Sequence, residues 1–411
     1  MNTDSAEYSL GPMSEVADII MGQSPASIDC NADCRGFPLL NGPTEFGSHH
    51  PTPVQYTTDA RRIAQRGDLL FCVRGSTTGR MNWADRRYAI GRGLAAIRSK
   101  NGKSTNHFVK AAIEYKLDDL LAAATGSTFP NLSRDQLNGI FIPLPPLPVQ
   151  RRIAKILGDL DDKIELNRKM NETLEHMARA LFKSWFIDFD PVRAKMDGRM
   201  PEGMDADTAA LFPSRLVESE LGLVPEGWEV GRLGDIVGCF DSKRIPLSGR
   251  QREAMPGLYP YYGAASIMDY VDDYIFEGVY LLIGEDGSVI NEDGTPVTQY
   301  AWGKFWVNNH AHVLQGKNGI CTEHVMLALK GMNIAAFVTG AVQPKLNQGN
   351  MNRIPLVIPP LLVGDAFAET IAPVFTKIRE NINQSRTLAS LRDTLLPKLM
   401  RGEVLGVRGH K

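Results

Sequence analysis

The chain has 411 residues, 43% hydrophobic and 22% charged, which is ordinary globular composition and too long for a single core. A net charge of −2 excludes a uniformly basic surface, and no apolar run approaches the roughly 18 residues a membrane-spanning helix needs. Five cysteines without framework spacing argue for reduced thiols, and the start lacks a basic-then-apolar leader, so a cytoplasmic location and no membrane partner are expected.

In chain order, Val16-Ala17-Asp18-Ile19-Ile20 opens a strand-rich block. Cys30 and Cys34 with His49 and His50 could be pictured as a zinc set, but their spacing matches no standard ligand pattern. Between Arg61 and Arg98 there are nine arginines against Asp68 and Asp85, a local excess that suits either a phosphate-facing surface or a solvated arginine face. Gly67-Asp68-Leu69-Leu70-Phe71-Cys72-Val73-Arg74-Gly75-Ser76 reads as a turn, a buried strand and a glycine-bounded loop, with Gly93 to Ile97 a further strand. Gly126 to Leu132 then leads to Pro145-Pro146-Leu147.

From Val149 the apolar positions step by four and three: Ile153, Leu157, Leu160, Ile164, then Asn167 and Asn171, then Leu174, Ala178, Leu181 and Trp185. That is a heptad seam with a polar centre. A helix from Val149 to Phe186 would be about 57 Å long and needs an equally long partner. Residues 188–226, rich in turn signals such as Asp190-Pro191 and Asp197-Gly198, read as an extended connector.

The second block repeats the first. Gly340 to Leu346 leads to Pro359-Pro360-Leu361 at a constant offset of 214 residues from the first copy, and Gly278 to Ser288 matches the earlier turn, strand and loop. The seam recurs as Phe367, Ile371, Val374, Ile378, then Asn381 and Ser385, then Leu388, Arg392, Leu395 and Leu399. Antiparallel pairing would bring Asn167 and Asn171 against Asn381 and Ser385, fixing register. Pro373 should kink the second helix near its start. The expected fold class is α+β, with two strand-rich mixed domains, two long antiparallel coiled-coil helices and a pseudo-two-fold internal repeat. The implied segments are residues 1–147, 148–187 (helix), 188–226, 227–360, 361–402 (helix) and a tail at 403–411.

No catalytic set stands out. Walker, nucleophile-elbow and His-Glu-x-x-His motifs are missing, Asp190-Pro191-Val192 fails the amino-methylating tetrapeptide, and Glu114-Tyr115-Lys116 lacks the upstream Pro-Asp of a nuclease. His310 and His312 could face one side of a strand, without an apparent third ligand.

Over nearly the whole chain the pattern resembles the specificity subunit of type I restriction-modification systems. The resemblance is carried by Ile142-Pro143-Leu144-Pro145-Pro146-Leu147-Pro148-Val149-Gln150-Arg151-Arg152-Ile153-Ala154, by Leu160-Asp161-Asp162-Lys163-Ile164-Glu165-Leu166-Asn167, and by Ala180-Leu181-Phe182-Lys183-Ser184-Trp185-Phe186. In the second copy Ile358-Pro359-Pro360-Leu361 and Leu395 to Glu403 fit, while Gly364-Asp365 stand where the family has Gln-Arg. The resemblance implies two target-recognition domains, each reading half of a split asymmetric site in double-stranded DNA, with the helix pair as spacer. It also implies that catalysis belongs to partners. Modification subunits would use S-adenosylmethionine, and restriction subunits, where present, ATP and magnesium; this chain itself needs no cofactor and no metal.

On that reading, the base or phosphate contacts of the first domain are Arg74, Ser76, Thr77, Thr78, Arg80, Asn82, Thr128 and Asn131. Those of the second are Lys243, Arg244, Tyr262, Ser288, Gln343 and Lys345. Arg151, Arg152, Lys155, Asp161 and Lys163 are expected on the outward helix face toward partner subunits. The competing readings are a self-sufficient DNA methyltransferase or nuclease, and a coiled-coil adaptor that binds protein only.

Overall fold

The computed structural model describes residues 8–124, 130–340 and 342–404. The chain divides into two compact units: residues up to Lys169 together with those from Ile382 onward, and Met170–Asn381. Each contains one strand-rich domain and a stretch of both long helices, Leu147–Phe186 and Leu361–Met400.

In the first unit a four-stranded antiparallel sheet runs in the order Ala17–Met21, Leu94–Ser99, Leu69–Cys72, Met81–Trp83. The strand Leu69–Cys72 is apolar throughout because both of its faces are covered. Leu69 and Phe71 enter a core with the helix Asn106–Tyr115 and the long helices, while Leu70 and Cys72 enter a second core with Leu40, Tyr88 and Ile90. The second core rests on a five-stranded sheet in which Phe37–Leu40 runs parallel to Tyr88–Ile90. Thr105 caps the helix Asn106–Tyr115 by accepting from the Phe108 amide, which turns Phe108, Val109 and Ala112 into the sheet.

The second unit repeats the plan with longer strands. Its six-stranded sheet runs Val237–Cys239, Ala311–Gly316, Phe276–Gly284, Thr298–Val307, Pro256–Tyr262, Ile267–Val271, with the one parallel pairing between Pro256–Tyr262 and Thr298–Val307. In both units a strand that opens the strand-rich domain closes on the strand just before a long helix, Leu10–Pro12 on Phe141–Pro143 and Glu229–Arg232 on Pro355–Ile358. This clasp brings each domain's two ends together and delivers the chain into its helix.

Within each unit the helix segments run antiparallel. In the first, Asp161 accepts from Arg392 at 2.8 Å, Asn167 donates to Gln384 at 2.9 Å and to Ser385 at 3.2 Å, and Leu399 and Met400 bury beside Val149 and Ile153. In the second, Asn381 donates to Asn171 at 2.8 Å, Asn171 donates to the Ile378 carbonyl at 3.2 Å, and Phe182, Trp185 and Phe186 ring Phe367. Of the seam positions, Ile153, Leu157, Asn167, Phe367, Ile371, Ile378 and Asn381 are buried; Leu160, Ile164, Leu174, Leu181, Val374, Leu388 and Leu395 are half-buried. The second helix continues unbroken through Pro373.

Residues 188–226 are not an extended connector. They form the helices Asp190–Met196 and Ala206–Ala210 and the hairpin of Leu216–Ser219 with Gly222–Pro225. Phe189, Val192 and Phe212 are buried there, with Phe212 edge-on to Trp185 at 5.2 Å and Phe189 edge-on to Trp228 at 5.7 Å. The turn residues bound short elements whose few aromatics find a core at the end of the first long helix. Gly364, where the family has Gln, also has a local reason. In the first copy Gln150 is buried and donates to the Pro145 carbonyl; in the second, a Cβ on Gly364 would stand 2.6 Å from the Gly319 carbonyl, so backbone approach replaces the side-chain bond.

Candidate nucleic-acid interface

In each unit the glycine-bounded loop after the central strand is stitched to the repeated loop that precedes the long helix. In the first, Arg74 bridges to Asn131, the Gly75 amide donates to the Pro130 carbonyl at 3.1 Å, and the Leu132 amide to the Val73 carbonyl at 2.9 Å. In the second, Asp286 bridges to Lys345, the Gly287 amide donates to the Pro344 carbonyl at 3.1 Å, and the Leu346 amide to the Glu285 carbonyl at 2.8 Å. Gly75 and Gly287 have φ of 94° and 76°, which a side chain would strain. Leu132 and Leu346, both fully buried, anchor the loops from below. Segments about 57 residues apart in sequence are thus joined twice, by the same bonds, with different residues at the tips.

The tips carry the exposed polar set. Arg74, Ser76 and Arg80 are exposed in the first unit, with Arg74 Nε 3.4 Å from Asn131 Oδ1, and Thr77 is half-buried beside Cys72. Ser288, Gln343 and Lys345 are exposed in the second, and Lys345 Nζ lies 3.9 Å from Glu285. Lys243 is exposed and stands over the Phe240 ring. Thr128 lies outside the described residues.

Four expected contacts are corrected. Asn82 is 4% exposed, donates to the Gly47 carbonyl and accepts from the Trp83 amide, so it closes a buried turn. Tyr262 is a core residue, edge-on to Phe305 at 5.6 Å. Thr78 spends its hydroxyl on the Gly75 and Pro130 carbonyls, stapling the two loops together. Arg244 is turned inward onto Glu285 at 2.8 Å and the Ala311 carbonyl at 2.7 Å. The arginine excess is likewise partly matched within the fold: Arg98 forms a two-pronged pair with buried Asp68, while exposed Arg61 pairs with Asp59 and exposed Arg86 bonds to Tyr88. On the helix, Arg151, Arg152 and Lys155 are exposed and Lys163 half-buried, but Asp161 faces inward between Lys110 at 2.9 Å and Arg392 at 2.8 Å. Burial disfavours its charge, yet these two cations outweigh that and hold its carboxyl below the usual range.

Cys30, Cys34, His49 and His50 form no cluster; His50 Nδ1 instead meets the Trp83 carbonyl. Among the described residues the one tight group of this type is Cys239, Asp241 and His312. There His312 Nδ1 lies 2.5 Å from Asp241 Oδ2, the separation of a hydrogen-bonded ion pair. Two ligands each about 2.0–2.1 Å from a tetrahedral zinc would stand about 3.3 Å apart. The sequence signalled this group only through the alternation of His310 and His312; the partner, Asp241, is 71 residues away. An exposed residue also left no mark in the sequence: Val342, beside Gln343, is 99% exposed.

The fold and these loops define a class: a duplicated two-domain reader with matched presentation loops on a shared helix pair. The comparisons give its family. Residues 10–176 and 225–386 match the family model of the type I restriction modification DNA specificity domain. The chain is 24% identical over 416 residues to the type I restriction enzyme HindI specificity subunit of Haemophilus influenzae, covering 84% of this chain and 88% of that one. It is 41% identical over 157 residues to the putative MjaX specificity subunit of Methanocaldococcus jannaschii, a match confined to 38% of this chain and 37% of the relative. The crystal structure of the S subunit from M. genitalium superposes with a TM-score of 0.61 at 16% identity over 97% of this chain and 98% of that one, a likeness of fold. The chain belongs to the type I restriction-modification DNA specificity family. It is a specificity subunit, the non-catalytic member of such a system.

Proposed function

We propose that each strand-rich domain reads one half of a bipartite, asymmetric site in double-stranded DNA, and that the loop pairs Arg74–Arg80 with Asn131 and Asp286–Ser288 with Gln343–Lys345 do the reading. The observation that carries this is the double stitch between the two loops, built from the same backbone bonds in both domains while the exposed side chains differ. A fixed frame with variable tips is what groove recognition needs, since donors and acceptors must meet base edges to within a few tenths of an ångström.

The long helices, 40 residues each and therefore about 60 Å, act as the spacer that sets the number of unread base pairs. Their outward residues Arg151, Arg152 and Lys155 form a docking face for modification subunits, which carry S-adenosylmethionine; restriction subunits, where present, supply ATP and magnesium chemistry. The complex works in the cytoplasm. Among the described residues no helix is long and apolar enough to cross a membrane.

The test is selection of randomised duplexes by this chain assembled with its modification subunits. Two short conserved blocks with a fixed gap are expected, and insertion of one heptad in both helices should lengthen the gap or abolish binding. A single contiguous block, or an unchanged gap, would reject the reading.

A further inference from the structure

The second unit buries a charged network where the first is apolar. The loops after the central strands place Gly75 and Gly287 in matching positions, so Phe71 and Ile283 correspond. Opposite Phe71 stands Ala95, fully buried; opposite Ile283 stands His312, 1% exposed. On the neighbouring strand Ile19 faces Ile97, while its counterpart Cys239 faces Leu314, and two residues on Met21 is replaced by Asp241. Three apolar positions have become Cys, Asp and His. Buried ions cost desolvation energy and stabilise little compared with a well-packed apolar set, so their presence calls for a role in fixing one arrangement.

The bonds indicate that role. His312 Nδ1 lies 2.5 Å from the Asp241 carboxylate, and its Nε2 lies 2.7 Å from the Leu346 carbonyl. The Leu346 carbonyl accepts only, and so does the Asp241 carboxylate, kept ionised by the Val313 amide and Arg244; with both partners accepting, both ring nitrogens donate and the ring is an imidazolium. Leu346 closes the loop Gln343–Lys345 and is itself held by its amide on the Glu285 carbonyl. Asp241 also accepts from the Val313 amide at 2.9 Å, which fixes its carboxylate to the sheet.

We propose that His312 and Asp241 are positioning residues for the second recognition loop: the imidazolium, locked by the carboxylate, holds the Leu346 carbonyl and so sets where Gln343 and Lys345 stand. This rests on the reading of that loop as a contact to DNA. The charged surroundings are balanced. Glu285 lies 3.8 Å from His312 Nδ1, Arg244 reaches Glu285 at 2.8 Å and Asp241 at 3.5 Å, and Lys345 lies 3.9 Å from Glu285. Beside them His310 pairs with Asp286, and burial pushes the Cys239 thiol up to about 11, so it stays neutral. Burial disfavours the imidazolium, but the Asp241 bond and charge outweigh it and raise the ring above its usual 6.5. The tether is therefore fully present below about 6.5 and is lost as pH rises through the raised folded-state value. A neutral ring keeps one N–H, which the Asp241 carboxylate holds at Nδ1, and turns the Nε2 lone pair toward the Leu346 carbonyl.

The experiment uses the full chain assembled with its modification subunits. Amide exchange at Lys345 and Leu346, corrected for intrinsic rates, should quicken about tenfold as pH rises through the His312 transition, the size of one buried hydrogen bond. His312→Ala should be fast at every pH. His312→Gln, with two non-titrating N–H groups on one nitrogen, should stay slow and flat. The triple variant Cys239→Ile, Asp241→Met, His312→Ala copies the first unit's apolar set, keeps the fold and should still exchange fast. With duplexes randomised in one half-site at a time, His312→Ala should lose about tenfold discrimination through the second domain and none through the first. Unchanged exchange in both His312→Ala and the triple variant would overturn the tether. Equal loss in both half-sites would overturn its local positioning role. Faster exchange in a complex whose wild type shows no preference through the second domain would instead sink the DNA-reading assignment of the loop.

Discussion

Both units pack apolar side chains onto the helix pair, but they add different polar and aromatic contacts. In the first, Lys110 on the domain's helix donates to Asp161 of the first long helix, and Arg392 of the second long helix binds the same carboxylate, so one acid joins three elements. In the second, an aromatic cluster stands where the first has Phe108 and Ile153 in its apolar core: His324 lies edge-on to Phe182 at 5.1 Å and to Phe367 at 5.5 Å, and Phe186 packs at 4.8 Å from Phe367. Its polar contact has moved to Tyr300, which bonds Glu323 and Arg379. The helix caps make the exchange explicit, since Thr105 accepts from the Phe108 amide as Cys321 accepts from the His324 amide, and the side chain after the cap bond is Phe in one unit and His in the other. A duplicated scaffold fixes where a domain must touch its helices and leaves open whether ions or rings do it.

The largest effect that would break this contrast is Phe367→Ala, which removes the ring shared by Phe182, Trp185, Phe186 and His324. It should cost about 3–5 kcal/mol of second-unit stability, read as a selective rise in amide exchange there, with the first unit unmoved. Next is Asp161→Ala, which leaves Lys110 with Glu114 alone and Arg392 with Asp393 alone and should cost about 1–3 kcal/mol in the first unit alone. Because the Asp161 carboxyl is held below 3.8, that contribution persists above this value and fades only as pH falls through the lower folded-state value.

Acid sharpens the comparison further. Burial pulls His324 down to about 3 from 6.5, so the fold holds it neutral and second-unit stability should decline as pH falls from about 6.5 toward 3. His324→Phe, copying Phe108, should flatten that slope in a thermal-denaturation pH series, and an unchanged slope would place the acid sensitivity elsewhere. The smallest expected changes are at the tips: Arg74→Ala and Lys345→Ala should each weaken specific binding by about 1–3 kcal/mol if they read bases. Equal loss on unrelated duplex, measured by anisotropy against salt, would mark them as phosphate contacts.

Periodicity made the scaffold legible. The 214-residue offset located the repeat, and the heptads with a polar centre located the antiparallel pairing, because seam spacing is a local property written directly in residue order. The loop segments were also visible as glycine-bounded runs, since left-handed backbone at Gly75 and Gly287 leaves a sequence mark. Which side chains stand free on those loops was not legible. Arginine and asparagine look alike in sequence whether they face solvent, as Arg74 does, or are spent on a carbonyl or carboxylate far along the chain, as Asn82, Arg98 and Arg244 are.

The amino-acid sequence by itself thus determined the duplication, the helices and their register, because those depend on spacing between neighbours a few residues apart. Tertiary structure alone decided that 188–226 folds into a small core, that Asp161 is a three-way clamp, and that Asp241 meets His312 across 71 residues. Those outcomes follow from which distant groups a buried charge or ring finds to satisfy it, and chain order does not record that choice.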